Sequence, residues 1–206
     1  MKVLLLGATG AVGAEALRLA LADPAIEVLA PTRRALPAAP RLVNPVDAAG
    51  EWADSPPWRS DAVLCTLGTT IAKAGSQAAF TAIDHDLVLR LLRRAHAAGT
   101  PTAVLVSSLG ASARGNFYLR TKHAVEEAAA AIGFRSLTIL RPSMIDTERS
   151  ESRPAERIGL VAMKALAALI PRRYRAVPAT RIAAAMLDAA RAAEPGRQVI
   201  ESEAIL

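Results

Sequence analysis

The feature that most limits what this chain can fold into is its opening, Met1 to Gly13. Val3 to Leu6 is an apolar run of strand length, glycines stand at 7, 10 and 13, and an alanine- and leucine-rich stretch follows to about Ala22. Strand, glycine turn and helix in that order form the layout that binds a dinucleotide. Gly7 permits the tight turn, Gly10 lets the backbone approach a pyrophosphate, and Gly13 lets the helix pack close to the sheet. Ala8 and Thr9 complete the turn, and Ala11 and Val12 open a helix whose free N–H groups point at phosphates. The spacing is Gly-x-x-Gly-x-x-Gly, not the Gly-x-Gly-x-x-Gly of the standard fingerprint, and a plain structural turn is the alternative.

A second strand is expected at Ile26 to Ala30, ending in Pro31-Thr32-Arg33-Arg34. An acid at that strand end would take the ribose 2′-hydroxyl of NAD, whereas arginines accommodate a 2′-phosphate. Thr32, Arg33 and Arg34 therefore favour NADP(H) over NAD(H), with a solvated arginine pair as the alternative. Residues 35–60 are irregular and proline-rich, with a short strand at Arg41 to Val43. Asp47, just beyond it, meets the adenine edge or caps a turn. Trp52 and Trp58 are expected to cover the sheet edge.

Composition narrows the class. A chain of 206 residues suits one domain with a real core. It is 52% hydrophobic but only 3% aromatic, which fits alanine-rich helices on a sheet and argues against a stacking surface for nucleic acid. The net charge of +6 comes from scattered arginines and calls for no nucleic-acid partner. The single cysteine, Cys65, excludes an internal disulfide framework and is expected to be inert core. The longest apolar stretch, Leu160 to Ile170, is too short to span a bilayer. No secretory pattern opens the chain. A cytoplasmic protein without a membrane segment is the expectation.

Asp61 to Thr66 reads as the next strand, running into Leu67-Gly68-Thr69-Thr70. In a doubly wound sheet, ligands lie beyond the carboxyl ends of the strands, so Leu67, Gly68 and Thr69 are expected to face the cofactor. A long helix over Ser76 to Ala98 carries Phe80, Ile83, Leu87, Leu91 and Ala95 at helical spacing. His85 and His96 have no partner at metal-ligand spacing, so no metal site is expected.

The second informative stretch follows a strand at Thr102 to Ser107. Ser107-Ser108 ends the strand, and a helix from about Phe117 to Ala131 carries Tyr118 and Lys122 four residues apart, on one face. An ammonium beside a phenol stabilises the phenolate and lowers the tyrosine pKa from about 10. Ser108 or Ser107 is placed to hold a carbonyl oxygen. Together these residues make a general-acid set for hydride transfer to a small carbonyl, or from the corresponding alcohol. A strand at Ser136 to Leu140 leads to Arg141-Pro142-Ser143, where backbone would meet a nicotinamide amide. Helices are expected over Arg153 to Ile170 and Thr180 to Ala193, and an edge strand over Gln198 to Glu201. The basic cluster Arg172 to Arg175 binds an acidic partner or is a solvated linker.

With both motifs in hand, the chain resembles the atypical short-chain dehydrogenases/reductases. More narrowly it is similar to the Tat-interacting-protein-like subgroup and its NAD(P)H-binding, epimerase-like relatives. The segments that carry the likeness are Gly7 to Gly13, Cys65 to Thr70 with Lys73 to Ser76, Ser107 to Ala111, Phe117 to Lys122, and Leu140 to Ser143. The resemblance implies a single Rossmann-type α/β domain over residues 1–206: a doubly wound parallel sheet with helices on both faces and a small helical C-terminal extension. Residues of about 150–195 would be a reduced substrate region. It implies Tyr118 as proton donor, Lys122 as its partner and as a ligand of the nicotinamide ribose, and Ser108 or Ser107 as carbonyl holder. The family's active-site asparagine is absent, and Asp84 or Asp86 lies near its place. The implied protein is a monomer or a homodimer paired through the two long helices.

Overall fold

A computed structural model describes residues 1–48, 59–146 and 171–206. Trp52, Trp58 and the helix expected over 153–170 lie outside the described residues, as does most of the expected substrate region. The order is β1 (Lys2–Leu6), α1 (Ala11–Ala22), β2 (Glu27–Leu29), β3 (Leu42–Val43) and β4 (Ala62–Cys65). Then come α2 (Ile71–Ala74), α3 (Gln77–Thr81), a π-helical segment (Ala82–Leu87) and α4 (Val88–Ala97). The rest is β5 (Thr102–Val106), α5 (Phe117–Ala130), β6 (Ser136–Arg141), β7 (Ile145–Asp146), β8 (Val177–Pro178), α6 (Ala179–Ala192), β9 (Gly196–Glu201) and α7 (Ser202–Ile205).

Seven strands form one parallel sheet in the order β3-β2-β1-β4-β5-β6-β9. This is the Rossmann-type doubly wound arrangement expected. A parallel sheet is covered on both faces, which is why its strands read as unbroken apolar runs rather than alternating ones. In β1, Val3 and Leu5 face a core built with α1 and α6, where Ala16, Ala20, Ile182 and Met186 are buried. Leu4 and Leu6 face the opposite core, with Leu89 and Leu92 of α4 and Val125 and Ala129 of α5. Each such leucine contributes roughly 1.5–3 kcal/mol by leaving water.

The expected helix over 76–98 forms with a difference in its middle. Ser76 caps its start by accepting from the Ala79 N–H at 3.1 Å, but Ala82–Leu87 widen into a π turn. Such wide turns insert a residue into the helical ladder and re-aim side chains, often at functional sites. Here Asp84 is turned into the interior. The basic cluster includes a 3₁₀ turn at Arg172–Tyr174, followed by β8, which pairs with β7 as a small second sheet that hydrophobic patterning did not foreshadow. The strand expected at Gln198 begins at Gly196 and is the sheet edge.

Candidate functional site

All seven strands of the main sheet end at the same side. The chain runs outward from β1 through β2 to β3, then returns to place β4 beside β1, so the crevice between β1 and β4 is the topological switch point. A cleft of about 420 Å³ opens there. Gly10, Ala11 and Val12 line it from the β1 turn, Thr66 to Thr70 and Lys73 from the segment after β4, and Val106 and Ser107 from the end of β5. Asp84, Tyr118, Lys122 and Ile145 complete the walls.

The three glycines of the opening turn have different reasons to be glycine. Gly7 has φ +93°, and a Cβ on it would stand 2.6 Å from Thr66 Oγ1. A Cβ on Gly13 would stand 2.0 Å from the Gly7 carbonyl oxygen, so helix and turn meet backbone to backbone. Both are required by packing. Gly10 has φ −78°, and a Cβ on it would meet only the Gly7 carbonyl oxygen, at 3.4 Å. Neither conformation nor packing asks for glycine at position 10, which faces the cleft. A side chain there would project into the cleft. The α1 N-terminus beside it has no side-chain cap and no acid in its first turn, leaving its N–H groups and positive dipole end for an anion. Ala8 is buried beneath the turn and Thr9 is exposed on it.

At the end of β2, Thr32 is buried, and its hydroxyl donates to the Arg34 carbonyl at 2.6 Å. Asn44 locks the same corner, donating to the Ala30 carbonyl and, at 2.8 Å, to Thr32 Oγ1. The Asp47 N–H donates to the Thr32 carbonyl at 3.1 Å. Thr32 and Asn44 thus shape the corner from which the exposed Arg33 and Arg34 project. These residues do not line the cleft between β1 and β4.

On the other side, Lys122 of α5 is 7% exposed and donates through Nζ to Asp84 Oδ1 at 2.6 Å. Asp84 Oδ2 accepts from the Thr69 N–H at 2.7 Å. One buried carboxylate therefore joins the turn after β4 to the lysine of α5. The Lys122 ammonium stands 5.8 Å from the Tyr118 ring centroid, and that ring packs on Phe80 at 5.6 Å.

The two serines behave differently from the expectation. Ser107 lines the cleft, but its hydroxyl donates to Glu126 Oε1 at 2.5 Å, into the interior. Glu126 is fully buried, and Arg141 donates to it through Nε at 3.0 Å and also to Glu201 at 2.9 Å. This pairing holds the Arg141 guanidinium well above its ordinary pKa, chiefly through Glu126. The Ser108 hydroxyl lies 3.5 Å from the Leu109 carbonyl, outside the cleft lining. Pro142 and Ser143 are also engaged elsewhere. The Pro142 carbonyl accepts from the Leu109 N–H, the Ser143 N–H donates to Ser202 Oγ, and the Ser143 hydroxyl donates to the Arg175 carbonyl. Cys65 is core: burial pushes its thiol up to about 11. Among the described residues no cluster of metal-ligating side chains occurs, and His85 and His96 pair with Asp86 and the Gly133 carbonyl.

The cleft thus gathers Gly10, Ala11, Val12, Leu67, Gly68, Thr69, Ser107, Tyr118 and Lys122 of the expected residues. Asp84 as an ion-pair partner, Glu126 and Asn44 were missed. A signal existed for Glu126: Tyr118, Lys122 and Glu126 follow at four-residue spacing on one helical face.

No family model matches the chain. Its relatives include fungal proteins named fmp52, mitochondrial. That of Emericella nidulans is 38% identical over 172 residues, covering 76% of this chain and 72% of its own length. Among solved structures, a short chain dehydrogenase family protein from Francisella tularensis aligns at TM-score 0.70 and 14% identity, over 98% of each chain. A dTDP-glucose 4,6-dehydratase from Streptomyces venezuelae, solved with NAD bound, aligns at TM-score 0.70 and 20% identity, over 98% of this chain and 76% of its own. These likenesses establish the fold. The relatives' names point to Fmp52 rather than to the Tat-interacting subgroup. They also overturn the cytoplasmic expectation, since those relatives are named mitochondrial. A lone buried cysteine separates disulfide-forming compartments from others, and that is all it can separate. Among the described residues no helix is long and apolar enough to cross a membrane.

Proposed function

This chain belongs to the Fmp52 family, and we propose that it is an NADP(H)-dependent oxidoreductase acting on a small carbonyl or alcohol. The observation that carries the reading is the convergence, in one cleft at the switch point, of Gly10 and the bare α1 N-terminus with Tyr118 and Lys122. The cofactor would supply or accept the hydride. Gly10, Ala11 and Val12 receive the pyrophosphate, Leu67 to Thr69 wall the opposite side, and Lys122 presents N–H donors to the nicotinamide ribose. Tyr118 gives its phenolic proton to the substrate oxygen during reduction and takes it back during oxidation. Arg33 and Arg34, exposed at the β2 end, favour the 2′-phosphate of NADP(H).

The test is titration with NADPH, NADH, NADP and NAD, read by nicotinamide fluorescence, on wild type and Arg33→Ala/Arg34→Ala. A charge-assisted contact to phosphate contributes about 1.5–3 kcal/mol, so the variant should lose about one to two decades of NADPH affinity per contact and keep its NADH affinity. Equal losses for both dinucleotides would reject NADP preference. No binding by the wild type would reject the reading altogether.

A second reading is favoured by the serines. The Ser107 hydroxyl is committed to Glu126 and Ser108 lies outside the cleft lining, so neither serine presents a hydroxyl proton to a substrate oxygen in this arrangement. A non-catalytic NADPH-binding regulator would need no such hydroxyl. Tyr118→Phe separates the two: it abolishes turnover in an oxidoreductase and leaves a regulator's NADPH binding and partner response intact.

A further inference from the structure

Asp84 has no role in the reading above, yet it is 1% exposed and uses both carboxylate oxygens. Taking a carboxylate and an ammonium out of water is costly unless both are paired and hydrogen-bonded. The chain accepts that cost at a π turn, a local departure from regular helix that brings Asp84 inward. A brace between two helices would need only the contact with Lys122. The second oxygen instead fixes the Thr69 N–H, in the turn that walls the cleft. Gly68 belongs to the same arrangement, because a Cβ there would stand 3.2 Å from Asp84 Oδ1 and 3.7 Å from Lys122 Nζ. Any side chain at position 68 crowds the pair.

The geometry points to Asp84 as the positioning residue of this cleft. An ammonium has three N–H donors. Asp84 takes one, which fixes where the other two are presented and keeps the charge beside the Tyr118 ring. The same carboxylate sets the separation between Lys122 and the Leu67–Thr69 wall. The assignment rests on the dinucleotide reading and adds to it a residue that acts through Lys122 rather than by touching the reacting atoms.

The experiment is a double-mutant cycle on NADPH affinity, with melting temperature followed in parallel. Asp84→Asn is the informative single change. Its amide oxygen can still accept from Thr69, while its NH₂ would face the ammonium donor to donor, so it breaks the lysine contact selectively. Lys122→Met and the double variant complete the cycle. Asp84→Asn should bind NADPH about tenfold more weakly, a coupling typical of residues in one network, and the double variant no more weakly than Lys122→Met. Charge alone gives the opposite sign, since removing an anion from the cleft should tighten a phosphate-bearing ligand.

Unchanged or tighter binding by Asp84→Asn overturns the assignment, even if its melting temperature falls. So do losses that add across the cycle. If Asp84→Asn does not fold, the double variant, which carries no unpaired ammonium, is compared with Lys122→Met alone, and any further loss rejects the role. A wild type that binds no NADPH overturns the dinucleotide reading and this assignment together. Binding by the wild type with additive losses overturns the assignment alone.

Discussion

Replacing Gly10, Gly13 and Gly7 by alanine, one at a time, separates the ligand role proposed for Gly10 from the packing roles of Gly7 and Gly13. In Gly13→Ala the new methyl would lie 2.0 Å from the Gly7 carbonyl oxygen and 2.7 Å from Thr66 Oγ1. The oxygen is backbone in a turn pinned on both sides, where the Gly10 N–H donates to it at 2.9 Å and the Thr66 hydroxyl at 3.1 Å. It cannot step aside cheaply. Overpacking of this kind costs about 1–3 kcal/mol, and the short contact puts Gly13→Ala near the upper end. In a chain of this length about 3 kcal/mol lowers the melting temperature by roughly 6–12 °C. Gly7→Ala adds a left-handed φ to a 2.6 Å clash and should fall in the same range. In Gly10→Ala the methyl meets one oxygen at 3.4 Å, and stability should move by no more than about 0.5 kcal/mol. Its effect belongs in binding, because in the proposed reading Gly10 is part of the floor that would receive the pyrophosphate. A loss of about tenfold in NADPH affinity, near 1.4 kcal/mol, is expected. Circular dichroism melts and nicotinamide fluorescence titrations measure the two quantities on the same samples. If Gly10→Ala binds NADPH as the wild type does, or melts as low as Gly13→Ala, the reasoning from empty space over Gly10 is wrong.

Glu126→Gln should cost about 3 kcal/mol in urea denaturation, because it removes the buried charge opposite Arg141 and leaves that guanidinium Glu201 as its anionic partner; a cost under about 1 kcal/mol would show that the buried charge is not needed. Cys65, with its thiol pushed up from the usual 9.0 to about 11 by burial, should resist iodoacetamide at pH 8 and react at once in denaturant. The sign of the linkage follows from that raised value: the stability tied to the neutral thiol is complete below pH 9 and is lost as pH rises toward 11, by about 2–3 kcal/mol in all.

The strands of the sheet and the order of its elements were legible because a parallel sheet buried on both faces writes itself as apolar runs, each followed by a turn and a helix. Val3–Leu6, Ala62–Cys65 and Thr102–Val106 are such runs. The glycine turn was legible for the same kind of reason, since its residue types answer a backbone requirement. The parts that escaped are those where one polar side chain reaches across the fold. Asp84 meets Lys122 across 38 positions, and Ser107 meets Glu126 across 19. Periodicity reports which face a residue lies on and cannot report which charge waits on the facing element. The π turn is equally silent in sequence, because Ala82–Leu87 carries the same helical spacing as the turns on either side of it. Asn44 shows the limit for loops: its side chain bonds Ala30 and Thr32 some twelve to fourteen residues earlier, in a segment whose prolines announce irregularity and nothing more.

Two buried carboxylates decide what chemistry the cleft retains. Asp84 engages the lysine and Glu126 engages the serine, so of the groups expected to act on a substrate, two are already paired within the protein. For Lys122 the pairing is compatible with function, because an ammonium donates three times and one carboxylate oxygen takes a single bond. For Ser107 it is more restrictive, because a hydroxyl has one proton to donate and it is directed at Glu126. Tyr118 stands apart from both. Its ring packs on Phe80, which explains an aromatic residue at this position, but phenylalanine would pack as well. Its hydroxyl makes no hydrogen bond to another described residue. Packing among the described residues therefore accounts for the ring, and the cleft that Tyr118 lines also holds Lys122. The proposed proton transfer uses that oxygen, and Tyr118→Phe, which keeps the ring and removes only the hydroxyl, is the variant that tests it.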